Sequence, residues 1–203
     1  MQSENHKEEV PFAYYEEEFR SIDPEEVTAR LPYVGWNGKW FTVRLLGREL
    51  RISWPEYAME AADGEALPPL PTQTFLLRCL IGGRDESWGG KWVTFREMPW
   101  GEVYLTPYTG RVLRRAAFTF GTRLADFRSA CEKLGATPIL HGDAGFEFEL
   151  IGPYRMQILV WEGDEEFPPS AQVIYTDNFA PGFAAEDRVV AGDILISHIR
   201  AAM

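Results

Sequence analysis

Four carboxylates crowd into one short segment of the sequence, WEGDEEFPP, which begins at Trp161. They belong to Glu162, Asp164, Glu165 and Glu166. Carboxylates that lie close together raise one another's pKa, which can create a general acid, and carboxylate oxygens also bind hard cations. Their spacing does not follow the calcium-binding loop of an EF-hand. The segment therefore indicates either a site for acid–base or cation chemistry beside an aromatic ring, or a solvated hairpin tip.

A second candidate pair, His141 and Asp143, lies in the sequence HGD, where a predicted strand ends. An imidazole beside a carboxylate in one cleft can exchange protons near neutral pH. The alternative is a structural histidine that hydrogen-bonds at the end of the strand. His6 and His198 lie far away in the sequence. Three scattered histidines do not indicate a metal triad.

Arginines provide a third candidate, since they form the one basic cluster of an acidic chain. The cluster consists of Arg111, Arg114, Arg115, Arg123 and Arg128. Guanidinium groups could hold an anionic ligand through paired hydrogen bonds. The alternative is a helix face that pairs with neighbouring acids. Trp92, Arg96 and Glu97, in the segment WVTFRE, form a weaker candidate of the same kind.

Several familiar catalytic signatures are absent from the sequence. It contains neither GxSxG nor HExxH, and its glycines follow neither GxGxxG nor the Walker pattern. Cys79 and Cys131 are isolated from each other, whereas zinc cages and iron–sulfur clusters need three or four ligands. Both cysteines are predicted to be buried thiols, and a disulfide between them remains open because it depends on geometry.

Length and charge narrow the class of protein. The chain of 203 residues predicts a single domain over residues 1–203, with residues 1–10 as a disordered tail. Its formal net charge of -11 argues against binding to nucleic acid or to an anionic membrane surface. The amino terminus lacks the apolar core of a signal peptide, and no apolar run approaches the roughly 20 residues of a membrane span. We therefore expect a cytoplasmic protein.

The first half of the chain predicts helices around one β-hairpin. Asp23 is a candidate N-cap for a helix that starts at Pro24 and ends before Pro32. Alternating apolar residues on both sides of Gly47 predict a hairpin over residues 40–54. A further helix is predicted after a cap at Thr72 or Thr74 and should end at Gly82 and Gly83. Strands are predicted at residues 91–97 and 103–105.

The second half predicts two helices, an antiparallel meander and a terminal helix. One helix should cover residues 111–120, and the next should run from a cap at Thr122 to Leu134. The strands are predicted at residues 138–141, 145–151, 154–161 and 171–176, and the terminal helix at residues 185–201. Together these elements predict an α+β fold, mostly antiparallel sheet with helices packed on one face.

Five segments of the sequence resemble one known family. They read LLRCLIGG, GKWVTFREMPWG, GRVLRRAAFTFG, LVWEGDEEFPPSAQVIYTD and AEDRVVAGDILI. The family is known as domain of unknown function 3786, and the resemblance extends from about residue 72 to the carboxyl terminus. We expect it to include the preceding hairpin. WEGDEEFPPSA is its most specific part.

The resemblance implies a setting rather than an activity. Such families occur mostly in anaerobic bacteria and archaea, and some members carry an additional cysteine-rich iron–sulfur domain of the type found in corrinoid proteins. This chain lacks those cysteines. The positions that match the family's most specific motif are Trp161, Gly163, Asp164, Glu166 and Pro168. The matching positions of second rank are Arg96, Glu97, Asp177, Glu186 and Asp187.

Three hypotheses of function follow. The first is an accessory domain that binds a ligand or cofactor of anaerobic metabolism, related to corrinoids or one-carbon chemistry; it predicts an aromatic cavity lined by several of Trp88, Trp92, Trp100 and Trp161. The second is an enzyme in which Asp164 and Glu166 converge with a polar group of residues 92–97. The third is a protein–protein interaction module, which predicts an exposed apolar patch. The cofactor is not identified by the sequence, and the partner is either a protein or a small molecule.

Overall fold

The computed structural model describes residues 6–203, which form two compact units divided between Asp85 and Glu86. Each unit contains one antiparallel sheet with helices, so the predicted α+β class is confirmed. The prediction of one domain over residues 1–203 stays a prediction. Residues 6–10, predicted as part of a disordered tail, lie in the first helix, and residues 1–5 lie outside the described residues.

The first unit contains a four-stranded sheet of order β1-β2-β3-β4. Its elements are α1 (His6–Arg20), α2 (Pro24–Arg30), β1 (Gly35–Trp36), β2 (Trp40–Leu45), β3 (Arg48–Ser53), β4 (Met59–Ala61) and α3 (Leu70–Gly82). The hairpin β2–β3 is confirmed. It turns at Leu46 and Gly47, whose φ angles of 47° and 80° are the left-handed pair that suits a two-residue hairpin turn. The strands β1 and β4 were not predicted.

Helix starts were predicted with mixed success in this unit. The Asp23 carboxylate accepts a hydrogen bond from the Glu25 N–H at 2.9 Å, which confirms the predicted cap of α2. The predicted cap of α3 is wrong: that helix begins at Leu70 after Pro69, without a side-chain cap. Thr74 instead bonds back to the Leu70 carbonyl inside the helix. The helix α3 ends at Gly82, as predicted.

The second unit contains a five-stranded sheet of order β5-β9-β8-β7-β6. Its strands are β5 (Trp92–Thr94), β6 (Thr137–Ile139), β7 (Ala144–Ile151), β8 (Tyr154–Trp161) and β9 (Ser170–Thr176). Its helices are α4 (Leu105–Tyr108), α5 (Arg115–Phe120), α6 (Leu124–Lys133), α7 (Phe179–Gly182) and α8 (Ala185–Ala202). The π-helical segment Thr109–Arg114 joins α4 to α5 in one continuous helical run.

The meander β6–β9 and the terminal helix α8 confirm the predictions for this half, with bounds within two residues. Phe146, Phe148 and Leu150 of β7 are buried, while Glu149 on the opposite face is exposed. Against the buried face, the ring of Phe127 from α6 meets that of Phe146 edge to face at 5.6 Å. The core of the unit therefore lies between one face of the sheet and its helices, as the alternation of β7 predicts.

Three predictions around the helices of this unit are wrong. Residues 95–97 form a 3₁₀ turn rather than the end of a strand, and residues 103–105 lead into α4 instead of forming a strand. Thr122 does not cap α6, which follows Arg123 without a side-chain cap. The short helix α7 was not predicted.

Two further findings concern the class of protein. In the part of the chain that the structure describes, no helix is long and apolar enough to cross a bilayer. Cys79 and Cys131 both carry buried thiols, and no disulfide joins them.

Candidate functional site

The acidic segment forms a loop that joins β8 to β9, and we call residues 162–169 the acidic loop. Trp161 and Ser170 form the last pair of the two strands. Within the loop, the Asp164 N–H donates to the Phe167 carbonyl at 2.9 Å. The Asp164 carboxylate accepts from the N–H groups of Glu166 at 2.8 Å and Phe167 at 2.7 Å. The Asp164 side chain therefore closes the loop as an Asx turn.

These hydrogen bonds also affect titration. The N–H groups of Phe167 and Glu166 lower the pKa of Asp164 below its ordinary value, because they stabilise the ionised carboxylate. A general acid needs a raised pKa instead. The local chemistry of Asp164 thus suits loop closure better than proton donation.

Glycines let the base of the loop pack closely against a helix. A Cβ at Gly163 would lie 2.6 Å from Cδ of Pro169. A Cβ at Gly121, directly after α5, would overlap Cβ of Pro169 and lie 3.0 Å from the Trp161 carbonyl oxygen. The end of α5 therefore rests directly against both ends of the acidic loop.

The HGD turn lies beside the same loop. The Asp143 N–H donates to the Val160 carbonyl at 3.0 Å, and the Asp143 carboxylate accepts from the Glu162 N–H at 2.9 Å. Arg128 of α6 donates to the Asp143 carbonyl. The structure thus brings the predicted candidates Asp143 and Trp161 together, and His141 lies exposed in the same turn.

Aromatic side chains stand exposed around this loop. Trp161 is 37% exposed, Phe167 is 67% exposed, and Phe118, one helical turn before Gly121, is 62% exposed. We call these three aromatic residues, with Glu162, Glu165 and Glu166, the tip surface. The three glutamates are exposed, and no ion pair involves them among residues 6–203. The tip surface therefore combines exposed aromatic rings with exposed carboxylates.

The other predicted site residues lie elsewhere on the sheet. Trp92 pairs with Thr176, whereas Trp161 pairs with Ser170 at the opposite end of β9. The Glu97 carboxylate accepts from both N–H and Oγ1 of Thr94, each at 2.7 Å. These bonds lower the pKa of Glu97 and complete a capping box.

Arg96, the remaining candidate of that segment, forms an exposed ion pair with Glu102 at 2.8 Å. It is thus joined to a residue only six positions further along the chain. Neither Arg96 nor Glu97 shares the acidic loop with Asp164.

Asp177, which the family resemblance ranks second, holds a loop at the Trp92 end of the sheet. Its carboxylate accepts from the Gly89 N–H at 2.8 Å, and its own N–H donates to the Lys91 carbonyl at 3.0 Å. Trp88 meets Trp92 edge to face at 5.4 Å. No short sequence pattern predicts the bond between Asp177 and Gly89, because it joins segments far apart in the chain.

The arginine cluster is largely paired with acids. Arg115 bonds Asp193 at 3.0 Å and Ser197 at 2.8 Å, and Arg111 also bonds Asp193. Arg123 pairs with Asp126 at 2.7 Å. This geometry favours the structural interpretation of the cluster over an anion site. Asp193 was missed, although its spacing of four from Ser197 on α8 could have indicated a polar face.

Within residues 6–203, no group of three or more His, Cys, Asp or Glu side chains is arranged to hold a metal ion.

Comparison with known proteins identifies a family. A family model described as Domain of unknown function (DUF3786) matches residues 23–198, which confirms the resemblance. The match starts at the cap of α2, and so includes the first hairpin as well as the acidic loop. No curated protein and no solved structure matches the chain.

Proposed function

The chain belongs to the DUF3786 family, and we propose that it is an accessory domain that docks a partner protein through the tip surface. The partner presents a cationic segment with apolar side chains. The observation that carries this proposal is the grouping of exposed Phe118, Trp161 and Phe167 around an acidic loop with no ion-paired glutamate among residues 6–203. The cytoplasm of an anaerobe is the proposed setting, by association with the family.

Exposed aromatic rings support docking because aromatic residues provide much of the binding free energy in protein interfaces. Phe167 and Trp161 keep large apolar areas in water, which favours their burial by a partner. The loop that carries them is closed by hydrogen bonds of Asp164. A loop that is already ordered loses less conformational entropy on binding than a flexible one.

Charge selects the kind of partner. Glu162, Glu165 and Glu166 stand exposed beside the aromatic rings, in a chain of formal net charge -11. Such a surface attracts cationic segments and repels acidic ones, and the attraction weakens as salt screens it. A second copy of this acidic chain is therefore a less suitable occupant than a basic partner.

The two other hypotheses fit the geometry less well. A cofactor cavity lined by Trp92 and Trp161 needs both rings in one place, whereas they pair at opposite ends of β9. An enzyme that uses Asp164 needs its carboxylate for a substrate, whereas its Oδ1 atom bonds two loop N–H groups. A corrinoid-linked or one-carbon role is compatible with docking, since the partner itself can carry that chemistry.

The proposal is tested with a defined probe. Fluorescence anisotropy measures binding of a labelled peptide of alternating arginine and leucine, and a glutamate–leucine peptide of equal length is the control. We expect the basic peptide to bind and the acidic one not to. The double variant W161A/F167A should lose at least about tenfold in affinity, as hot-spot truncation does.

Trp100→Ala provides the matched control variant, since Trp100 is 70% exposed and lies outside the tip surface. It should bind the basic peptide like the wild type. Equal binding of both peptides, or full affinity of W161A/F167A, would overturn the proposal. In a cell lysate, a photo-crosslinker at position 167 should then mark a basic segment of the native partner.

A further inference from the structure

We infer that Asp143 is a positioning residue that sets the conformation of Trp161 for partner binding. The inference rests on the proposed function, because it assigns a role to a residue beside the tip surface. It adds that the HGD turn, rather than the acidic loop alone, determines how well the partner binds.

Asp143 holds the backbone on both sides of Trp161. Its N–H donates to the carbonyl of Val160, the preceding residue, at 3.0 Å. Its carboxylate accepts from the N–H of Glu162, the following residue, at 2.9 Å. Two hydrogen bonds from one residue thus fix the peptide groups that flank the tryptophan.

The turn that carries Asp143 is itself held in place. Arg128 of α6 donates to the Asp143 carbonyl, which ties the turn to a helix of the same unit. Gly142 has a φ of 71°, and a Cβ there would lie 3.0 Å from the Val160 carbonyl oxygen. Only glycine combines this backbone conformation with so close an approach to β8.

The consequence for binding is preorganisation. Trp161 lies at the last position of β8, where a strand would otherwise fray into the loop. Without the Asp143 carboxylate, the Glu162 N–H loses its protein acceptor and the loop has more conformations to lose when a partner binds. We expect Asp143→Ala to weaken binding of the arginine–leucine peptide by about five- to twentyfold.

The experiment compares Asp143→Ala with Asp143→Asn in the full chain. The asparagine variant removes the charge but keeps an amide oxygen that accepts from Glu162 N–H. Hydrogen exchange by NMR reports the Glu162 N–H, anisotropy reports peptide affinity, and thermal unfolding reports the fold. Asp126→Ala is the matched control, because Asp126 is an exposed aspartate on the same unit that pairs with Arg123.

We expect Asp143→Ala to speed Glu162 exchange at least about tenfold, whereas Asp143→Asn should remain within about twofold of the wild type in exchange and in affinity. Unchanged Glu162 exchange in Asp143→Ala would overturn the inference. Equal loss of affinity in both variants would also overturn it, since charge alone would then explain the effect. If the wild type binds no basic peptide, the proposed function fails, while the exchange measurement still decides whether Asp143 positions the backbone.

Discussion

Asp164 and Phe167 hydrogen-bond each other in both directions across the acidic loop. The Asp164 N–H donates to the Phe167 carbonyl at 2.9 Å, and the Phe167 N–H donates to the Asp164 carboxylate at 2.7 Å. A cluster of acids that suggests chemistry in the sequence thus contains one member that shapes the loop and three that face solvent.

The acidic loop should lose order at low pH. Because the folded-state pKa of Asp164 is depressed, its stabilising effect is present above the pKa of the unfolded chain, near 3.9, and is lost as pH falls through the lower folded value. NMR should show the Glu166 and Phe167 amide signals shifting together below about pH 4. Glu166→Gln should leave this transition in place, whereas Asp164→Ala should abolish it. A transition that persists in Asp164→Ala would assign the effect to another acid.

Gly121→Ala should destabilise the protein by about 1–3 kcal/mol, since its Cβ would overlap the Pro169 ring and no space exists for it. Trp161 fluorescence should change as well, because the same Cβ would press on the Trp161 carbonyl. Gly110→Ala is the control: a Cβ there meets nothing within 4 Å, and alanine should stabilise the helical run by up to about 1 kcal/mol. Chemical denaturation measures the free energy of unfolding of both variants. Equal effects of the two substitutions would contradict the packing of α5 against the loop.

A buried pair of tyrosines should make the protein sensitive to alkali. The Tyr175 hydroxyl bonds the Tyr108 hydroxyl and lies 3.2 Å from the Arg188 carbonyl oxygen. Burial raises the pKa of both tyrosines well above the ordinary value. A raised folded-state pKa gives stability that is complete below the unfolded pKa, near 10, and declines as pH rises above it.

Thermal unfolding between about pH 8 and pH 11.5 checks this decline. Tyr175→Phe should lower stability by about 1–2 kcal/mol at neutral pH, since it leaves buried partners without its hydroxyl. The same substitution should also make the loss of stability at alkaline pH less steep. A decline of the same steepness in Tyr108→Phe/Tyr175→Phe would place its origin in other tyrosines or lysines.

Asp193→Ala should cost up to about 1 kcal/mol, because it leaves Arg111 and Arg115 without their shared carboxylate on a partly exposed face. The loss should shrink at high salt, where charges are screened. Asp126→Ala, which breaks a single exposed pair with Arg123, should change stability by less than about 0.5 kcal/mol. Urea denaturation at low and high salt compares the stability loss of the two variants. An Asp193→Ala loss that is independent of salt would indicate packing rather than charge.

The sequence predicts the strands of the meander β6–β9 well because their pattern is local. Phe146, Phe148 and Leu150 alternate with glutamates, and Gly152 with Pro153 marks the turn. Caps were predicted less well. Thr72 and Thr122 have the right chemistry, but Thr72 lies inside α3, which already begins at Leu70, and Thr122 lies one residue before Arg123, the N-cap position of α6. Capping is thus a weaker determinant of where a helix begins than the path of the chain into the core.

The candidate site was predicted only where its residues are neighbours in the chain. The acidic loop is one continuous segment that follows Trp161. The tryptophan and the four acids therefore lie close together because they are neighbours in the chain. The bond from Glu162 to Asp143 spans 19 residues and depends on the register of β7 against β8, which no short pattern fixes. The separation of Trp92 from Trp161 likewise depends on the pairing of β5 with β9, between segments far apart in sequence.

The outermost strands of the five-stranded sheet, β5 and β6, have three residues each, and β6 contains Pro138. Strands of three residues have few unpaired backbone groups on their outer sides, and the proline removes one donor. An extended peptide that adds itself to β5 or β6 would gain only a short ladder of backbone bonds. The docking that we propose for the tip surface would then depend on side chains rather than on added strands, so single substitutions there would change its specificity.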